Sequence, residues 1–490
     1  MRCIYITLFA LAATLAGCKK FLDVTPNDKV FEKELFNSRD GFENALADVY
    51  YGLTNPSLYG RELKFGMLDA MAGYWNIPAQ QNPYSNIIGL NYQLKEYQNY
   101  LAPVWSGLYT AINKTNTILK NIDNIKGDKY YDLIKGEATG LRAFAHLEVL
   151  RLFGPVIKQE GAGVKAIPYY QSAGNLPQPF LTASDVMERI DKDLSDAESL
   201  LKNDSIKTIG RSANGNGFGT IKYNSLIDRR GIRMNYYAVL GLKARLSMWA
   251  GKTEEAYTRA NAVVTQLDNN SAAAIHLIGN GDVSAKNKRF TVENLFGLYI
   301  YNHRDYLAGY LPDFASTVSP ILVPQYTYLM NNLYKNAVHG SANDYRFINW
   351  FGVAGTSQYR FTKLEIDTMP ASSQDQYEVA LLALPEMYFI MAETKAGSNP
   401  ALAMQWLNRL RFSRNLTTAI PYDPATTTPE MVMNFIIDES RKEYPGEGYV
   451  YLMYKRMFRP MVRPTGTIQP DLNVYHLPVP VDENTYNNTK

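Results

Sequence analysis

The chain has 490 residues, of which 46% are hydrophobic and 20% are charged, and its formal net charge is +3. This composition excludes a disordered chain, and the near-neutral charge argues against a nucleic-acid partner. Length alone would suggest about three domains. The segment richest in Gly and Asn, residues 210–219, is too short to be a domain linker. We therefore expect a single domain over residues 18–490.

The first residues have the pattern of a targeting segment. Arg2 precedes a mostly apolar run over residues 4–15, and the small residues Ala16 and Gly17 end it. This order is typical of a secretory signal, and the run is too short to span a membrane. The sequence therefore predicts a signal peptide over residues 1–17.

Cys18 follows directly, in the order Leu15, Ala16, Gly17, Cys18, which is the pattern of a lipobox. Cleavage before Cys18 would leave it as the N-terminus, and its sulfur would carry a diacylglyceryl group. Two or more acyl chains anchor a protein stably, whereas one binds reversibly. The alternative is an ordinary signal peptide that contains a cysteine. Because Cys3 is the only other cysteine, the mature lipoprotein would have no disulfide and no thiol ligand for a metal.

Helical periodicity dominates the chain up to about residue 270. Apolar residues recur at three- and four-residue steps from Trp105, and again in the run GEATGLRAFAHLEVLRLFGPV, which ends at Gly154 and Pro155. A third amphipathic helix covers Val186 to Leu201, with Ser184 as its expected N-cap. These patterns predict three long helices before residue 205.

Two helical hairpins follow the tetratricopeptide pattern. Residues 236–264 place Gly251 at the turn, and residues 384–415 place Gly397 there. By contrast, residues from about 280 to 380 are irregular, and we expect a strand in ENLFGLYIYN. We therefore predict a mainly α fold: a tetratricopeptide-like helical-repeat scaffold, an α/α superhelix, with an inserted irregular lobe that contains short strands.

The sequence lacks the short motifs of common catalytic sites, namely G-x-S-x-G, G-x-x-x-x-G-K-[ST], G-x-G-x-x-G and H-E-x-x-H. No two of the five histidines have metal-ligand spacing, so we predict neither a metal site nor a cofactor, and His146 is expected to be structural. The acidic residues of the third helix are expected to be solvated; they are Glu188, Asp191, Asp193 and Asp196. A glycoside hydrolase is still possible, because its two carboxylates carry no short signature.

The order of several segments resembles the SusD/RagB family of nutrient-binding outer-membrane lipoproteins. These segments are CKKFLDVTP, FENALADVYYGL, VWSGLYTAINKTNTIL, the GEATGLRAF run, both hairpins, ESRKEYPGEG and YHLPVPVDENTYNN. The resemblance implies a non-enzymatic lipoprotein on the cell surface. Such a protein captures glycans, or in some members peptides, and delivers them to a partner TonB-dependent (SusC-like) transporter of the outer membrane. The alternatives are a lipid-anchored glycoside hydrolase on a helical toroid and a repeat scaffold that binds only protein.

Aromatic residues in loops are the candidates for ligand contact, because sugar rings stack on flat aromatic faces and their hydroxyls bind amides. Trp105, Trp249 and Trp406 lie on helical apolar faces and are expected in the core. The candidate ligand-binding residues lie in two loop-like stretches rich in amides; they are Tyr74, Trp75, Asn76, Tyr84 and Trp350. We expect them to form a shallow, exposed platform.

Overall fold

The computed structural model describes residues 32–78, 82–211, 226–284, 287–311, 320–354, 358–366 and 375–486. Cys18 and the predicted signal peptide lie outside these ranges, as does most of the segment 210–219. The helices before the lobe are α1 Arg39–Leu53, α2 Met67–Ala72, α3 Glu96–Asn121, α4 Tyr131–Phe153, α5 Ile157–Glu160, α6 Ala183–Leu200, α7 Tyr236–Trp249 and α8 Thr253–Asp268.

The lobe follows α8 and contains only short helices. They are α9 Asn280–Ser284, α10 His303–Leu307, α11 Tyr326–Leu329 and α12 Tyr345–Trp350. The helices after the lobe are α13 Leu384–Lys395, α14 Pro400–Ser413, α15 Pro429–Glu443, α16 Val450–Met457, α17 Leu472–Tyr475 and α18 Val481–Tyr486.

The long helices pack on one another in chain order, which makes the scaffold a helical superhelix. α3 packs on α4, α4 on α6, α6 on α7, α7 on α8, α8 on α13 and α13 on α14. The predicted hairpins are α7–α8 and α13–α14. In the first of them, Gly251 has a φ of 73° at the turn, and Ala244, Ala256 and Ala260 are fully buried at the helix contact. The predicted mainly α, tetratricopeptide-like fold is confirmed.

Every strand of the described residues belongs to a two-stranded antiparallel sheet. The pairs are β1 Trp75–Asn76 with β5 Val323–Pro324, β2 Lys165–Pro168 with β3 Phe180–Thr182, β4 Asn294–Tyr299 with β8 Glu378–Ala383, β6 Phe351–Ala354 with β7 Gln358–Phe361, and β9 Met461–Arg463 with β10 Gly466–Ile468. The strand expected in ENLFGLYIYN is β4. It pairs with β8, so the two chain passages that enter and leave the lobe lie side by side.

A buried ionic network joins the lobe to α15. Arg346 of α12 contacts Asp344, Glu439 and Glu443 at 2.7, 2.8 and 3.1 Å. Arg414, just after α14, contacts Glu443 at 2.7 Å and Glu293 of the lobe at 2.6 Å. Both arginines are fully buried. Removal of one partner would leave a buried charge uncompensated, which is strongly destabilising. The network therefore holds the lobe against the scaffold.

Two details of α6 differ from the sequence prediction. Its N-cap is Thr182, whose hydroxyl accepts from the Asp185 amide at 3.1 Å, and not Ser184. Asp193 is buried, and its carboxylate accepts from two Arg142 nitrogens, at 2.7 Å each, and from the Tyr169 hydroxyl at 2.6 Å. Asp193 is one turn from the buried Ala197, so it lies on the helix face that packs against α4. Glu188, Asp191 and Asp196 are exposed or half-buried, as expected.

Candidate functional site

The structure places the Tyr74 and Trp75 side chains in the core, so the prediction that they lie on an exposed platform is wrong. Both side chains are 3% exposed. The Trp75 indole N–H donates to the Phe65 carbonyl at 2.7 Å, and its ring meets the Phe361 ring edge-on at 5.4 Å. The Tyr74 hydroxyl donates to the Arg441 carbonyl at 2.7 Å. The physical reason is that β1 pairs with β5 of the lobe, which covers this stretch.

Trp350 is also a core residue, with 1% of its surface exposed, and the prediction that it is exposed is wrong too. Its indole N–H donates to the Lys288 carbonyl at 2.7 Å, and the Lys363 ammonium lies 4.0 Å from its ring centroid. The lobe therefore has its own packed interior, which the many polar residues of its sequence do not reveal.

Tyr84 is buried as well, while Asn76 is exposed. Unlike Trp75, Tyr84 belongs to a group of residues that reaches the surface. Its ring centroid lies 5.7 Å from that of Tyr100 and 6.4 Å from that of Tyr310, and both of these tyrosines are half-buried. The Arg61 guanidinium lies 4.1 Å from the centroid of the Tyr310 ring.

A buried carboxylate, Glu62, holds this group together. It accepts from the Tyr84 hydroxyl at 3.0 Å, from Arg61 Nε at 2.7 Å and from the Met67 amide at 3.0 Å. We call Arg61, Glu62, Tyr84, Tyr100 and Tyr310 the tyrosine site. Two loop contacts close it: the Asn82 amide donates to the Ile321 carbonyl at 2.7 Å, and the Leu322 amide donates to the Tyr310 carbonyl at 2.7 Å.

Burial and neighbouring charges shift the titration of the tyrosine site. Burial raises the pKa of Glu62, and Arg61 acts in the opposite direction. Burial, with a smaller contribution from Glu62, raises the pKa of Tyr100 to about 12. Burial likewise raises the pKa of Tyr84, so the Tyr84 and Tyr100 hydroxyls are neutral at physiological pH and can both donate and accept hydrogen bonds. With the guanidinium, they provide polar groups around two half-exposed rings.

The sequence prediction found one part of this site, Tyr84, and missed Arg61, Tyr100 and Tyr310. A helical signal existed for Tyr100. It lies at the edge of the α3 stripe formed by the buried residues Tyr97, Leu101 and Val104, so half-burial is the expected result. Tyr310 has no such signal, because only the pairing of residues 309–310 with 321–322 brings it beside Tyr84.

The remaining sequence candidates have structural roles or lie elsewhere. His146 is fully buried, contacts the Arg142 carbonyl at 3.0 Å through Nδ1 and accepts from the Tyr170 amide through Nε2 at 3.0 Å. Burial lowers its pKa to about 3. Trp105 and Trp249 are in the core, and Trp406 is half-buried. Within the described ranges, no group of three or more His, Cys, Asp or Glu residues could hold a metal ion, and no helix is long and apolar enough to span a membrane.

Comparisons with known proteins connect this architecture to one family. Residues 20–214 match the sequence model of the SusD-like family described as starch-binding and associating with the outer membrane. SusD-like protein P38 of Formosa agariphila is 20% identical, with 91% of this chain and 89% of that protein aligned. A SusD-like protein of Bacteroides ovatus is 23% identical over 41% of this chain and 35% of its own length.

Solved structures share the fold over nearly all of the described chain. A SusD superfamily protein of Bacteroides thetaiotaomicron superposes with a TM-score of 0.69 at 19% identity, covering 92% of this chain and 98% of its own. A SusD-like carbohydrate binding protein of Bacteroides vulgatus gives a TM-score of 0.68 at 18% identity, covering 91% and 96%. In the sequence of residues 20–214 and in its helical architecture, the chain is therefore similar to SusD-like proteins.

Proposed function

We propose that this chain is a lipid-anchored protein of the outer membrane that binds oligosaccharides at the tyrosine site and delivers them to a TonB-dependent transporter. The observation that carries the ligand proposal is the pair of half-buried rings, Tyr100 and Tyr310, held around the Arg61–Glu62 ion pair. The likeness to carbohydrate-binding relatives supports the ligand class.

The chemistry of the tyrosine site suits a sugar. The C–H faces of a pyranose pack on aromatic rings, and its hydroxyls bind charged and hydroxyl side chains at the rim. The Arg61 side chain is 22% exposed, while Glu62 is 5% exposed. Glu62 therefore acts mainly as a support that fixes the arginine and Tyr84, and Arg61 is the charged group that a ligand can reach.

The anchor and the partner are supported from the sequence. The predicted lipobox ending at Cys18 supports anchoring, and the family description associates the matching proteins with the outer membrane. The resemblance to nutrient-binding lipoproteins supports the proposal of delivery to a transporter. In such a role weak binding is useful, because the cargo has to be released.

Alanine substitution of the two half-buried tyrosines tests the site. Each of Tyr100→Ala and Tyr310→Ala should weaken the binding of maltoheptaose about tenfold or more, because a ring packed on the sugar contributes roughly 1.5–3 kcal/mol. Isothermal titration calorimetry on the full-length chain in detergent measures the dissociation constant. Tyr301→Ala is the matched control, since Tyr301 is a 75% exposed tyrosine of the same lobe outside the site.

The same titrations separate binding from hydrolysis. Maltoheptaose should be recovered intact after prolonged incubation, with no new reducing ends. Release of reducing sugar that disappears on substitution of one acidic residue would instead establish the glycoside hydrolase alternative. Unchanged affinity in both tyrosine variants would show that the ligand binds elsewhere.

A further inference from the structure

A second concave surface, which has no residue in common with the tyrosine site, lies along the β2–β3 hairpin. It consists of two clefts. The first has a volume of about 690 Å³, and Lys165, Ala166 and Phe180 of the hairpin line it. The second has a volume of about 510 Å³ and is lined by Pro168 of β2 and by Trp105 and Tyr109 of α3. Both volumes are in the range of small-molecule binding sites. We call the two clefts together the hairpin groove.

Aromatic rings run continuously from one cleft to the other. Phe180, in the first cleft, is stacked on Trp105, in the second, with ring centroids 6.4 Å apart and planes at 18°. Tyr109 continues the row, 4.8 Å from Trp105, and meets Tyr170 edge-on at 5.4 Å. Phe180, Tyr109 and Tyr170 are half-buried, so each keeps some surface in the groove. One elongated ligand could therefore contact rings in both clefts.

The C-terminal segment contributes to the lining of both clefts, with Val479 in the first and Glu483 in the second. Glu483 lies close enough to Tyr109 and Tyr170 to raise the pKa of both, although burial has the larger effect on each. Lys114 and Lys165 bring positive charge to the same groove. Because the groove carries charges of both signs, it does not favour a ligand with a net charge.

Amides and hydroxyls complete the lining of the second cleft. Ser106 and Thr110 present hydroxyls from α3, and Asn175 presents an amide from the loop between β2 and β3. Asn113 positions that loop, because its side-chain Oδ1 accepts from the Gly174 backbone amide at 3.0 Å. The groove thus combines flat apolar rings with short neutral polar groups, which is the combination that recognises an uncharged, polyhydroxylated molecule.

We propose that the hairpin groove is a second binding site for an oligosaccharide, separate from the tyrosine site, with sugar rings packed against Phe180 in one cleft and against Tyr109 and Tyr170 in the other. The ligand class rests on the proposed function, but the site does not, because the groove and the tyrosine site have no residue in common. Two sites on one molecule would hold a long glycan by avidity, even where each binds weakly.

A blocking substitution tests the groove without disturbing the core. Thr110 is exposed on α3, and its hydroxyl bonds back to the Ser106 carbonyl at 2.7 Å. Thr110→Trp should fill the second cleft. Thr258→Trp is the matched control: Thr258 is an exposed helical threonine on α8 that bonds back to the Glu254 carbonyl at 2.9 Å and does not line the groove. The full-length chain in detergent is titrated calorimetrically with maltoheptaose, cellohexaose, xylohexaose and mannohexaose.

We expect two equivalents of at least one of these sugars to bind the unmodified chain. Thr110→Trp should remove one equivalent, Tyr310→Ala should weaken the other about tenfold or more, their combination should do both, and Thr258→Trp should do neither. The inference is overturned if Thr110→Trp retains both equivalents, if Thr258→Trp has the same effect, or if none of the four sugars binds in the groove. If Thr110→Trp loses a binding equivalent and Tyr310→Ala binds as the unmodified chain does, the tyrosine site is contradicted and the hairpin groove is supported.

Discussion

At the scale of single residues, burial together with a bonded indole N–H identifies Trp75 and Trp350 as packing residues. Trp75 and Trp350 each donate this hydrogen bond to a backbone carbonyl, at 2.7 Å in both cases. A buried ring with its polar atom satisfied stabilises the fold and has no face left for a sugar. The loop composition around these residues predicted exposure, because amides and tyrosines are common on binding surfaces. In this protein Trp75 and Trp350 are instead packed in the interior.

This role gives a prediction for Trp75. Trp75→Ala should lower the free energy of unfolding by about 3–5 kcal/mol, because it leaves a cavity beside Phe361 and removes the bond to the Phe65 carbonyl. Chemical denaturation followed by far-ultraviolet circular dichroism measures the loss. Trp75→Phe keeps an aromatic ring and should lose distinctly less. A Trp75→Ala protein of wild-type stability but reduced affinity for maltoheptaose would instead indicate that Trp75 contacts the ligand.

At the scale of elements, the helices form where their periodicity predicts, while the connections between them depend on distant partners. The turn that follows α15 shows this. Gly446 and Gly448 have φ values of 82° and 63°, and a Cβ on Gly448 would lie 2.1 Å from the Leu63 carbonyl oxygen. The amides of both glycines donate to the carboxylate of Asp69 in α2, at 2.6 and 2.9 Å. Asp69 is fully buried, so this one carboxyl group joins α2 to the turn.

The Asp69 contact makes stability depend on pH. Burial raises the pKa of Asp69 from 3.8 to about 8, despite the two amide donors. Between these values the folded chain retains a proton that the unfolded chain loses. The contribution of Asp69 to stability is therefore complete below about pH 4 and is lost as the pH rises towards 8. Asp69→Asn removes this titration, so the free energy of unfolding should fall less steeply from pH 5 to pH 8, by up to about 1.4 kcal/mol per pH unit.

Urea denaturation of the two proteins at several pH values within this interval provides the measurement. The comparison uses the slope of stability against pH, so an overall loss of stability in Asp69→Asn does not affect it. Parallel curves for the two proteins would show that Asp69 is ionised in the folded state throughout the interval.

At the scale of the whole molecule, the scaffold and the lobe have different kinds of support. The scaffold consists of helices that pack on their neighbours in sequence, while the lobe is held by β4–β8 pairing and by the ions around Arg346 and Arg414. The tyrosine site lies where these parts meet, since Arg61 and Tyr100 come from the N-terminal part and Tyr310 comes from the lobe. The proposed membrane anchor at Cys18 lies before all of these elements in the chain.

The anchor is tested in cells. Cys18→Ser should abolish the incorporation of labelled palmitate and move the protein out of the membrane fraction, because a serine cannot accept the diacylglyceryl group. Fractionation and autoradiography provide the readouts, and Cys3→Ser is the matched control that should remain labelled. Protease treatment of intact cells then tests whether the anchored protein faces the exterior. A Cys18→Ser protein that is still labelled and membrane-bound would contradict the lipobox.

The sequence by itself determined the scaffold, because helical periodicity and glycine turns are local signals: Gly251 and Gly397 mark the hairpin turns, and Gly154 ends α4. It also placed His146 in a structural role. Only the tertiary structure decided which aromatic residues reach the surface. Trp75 is covered because β5, far along the chain, pairs with its strand, and Tyr310 reaches Tyr84 through contacts between loops. Whether a loop side chain is buried depends on such long-range partners, and these cannot be predicted from the residue types in the loop alone.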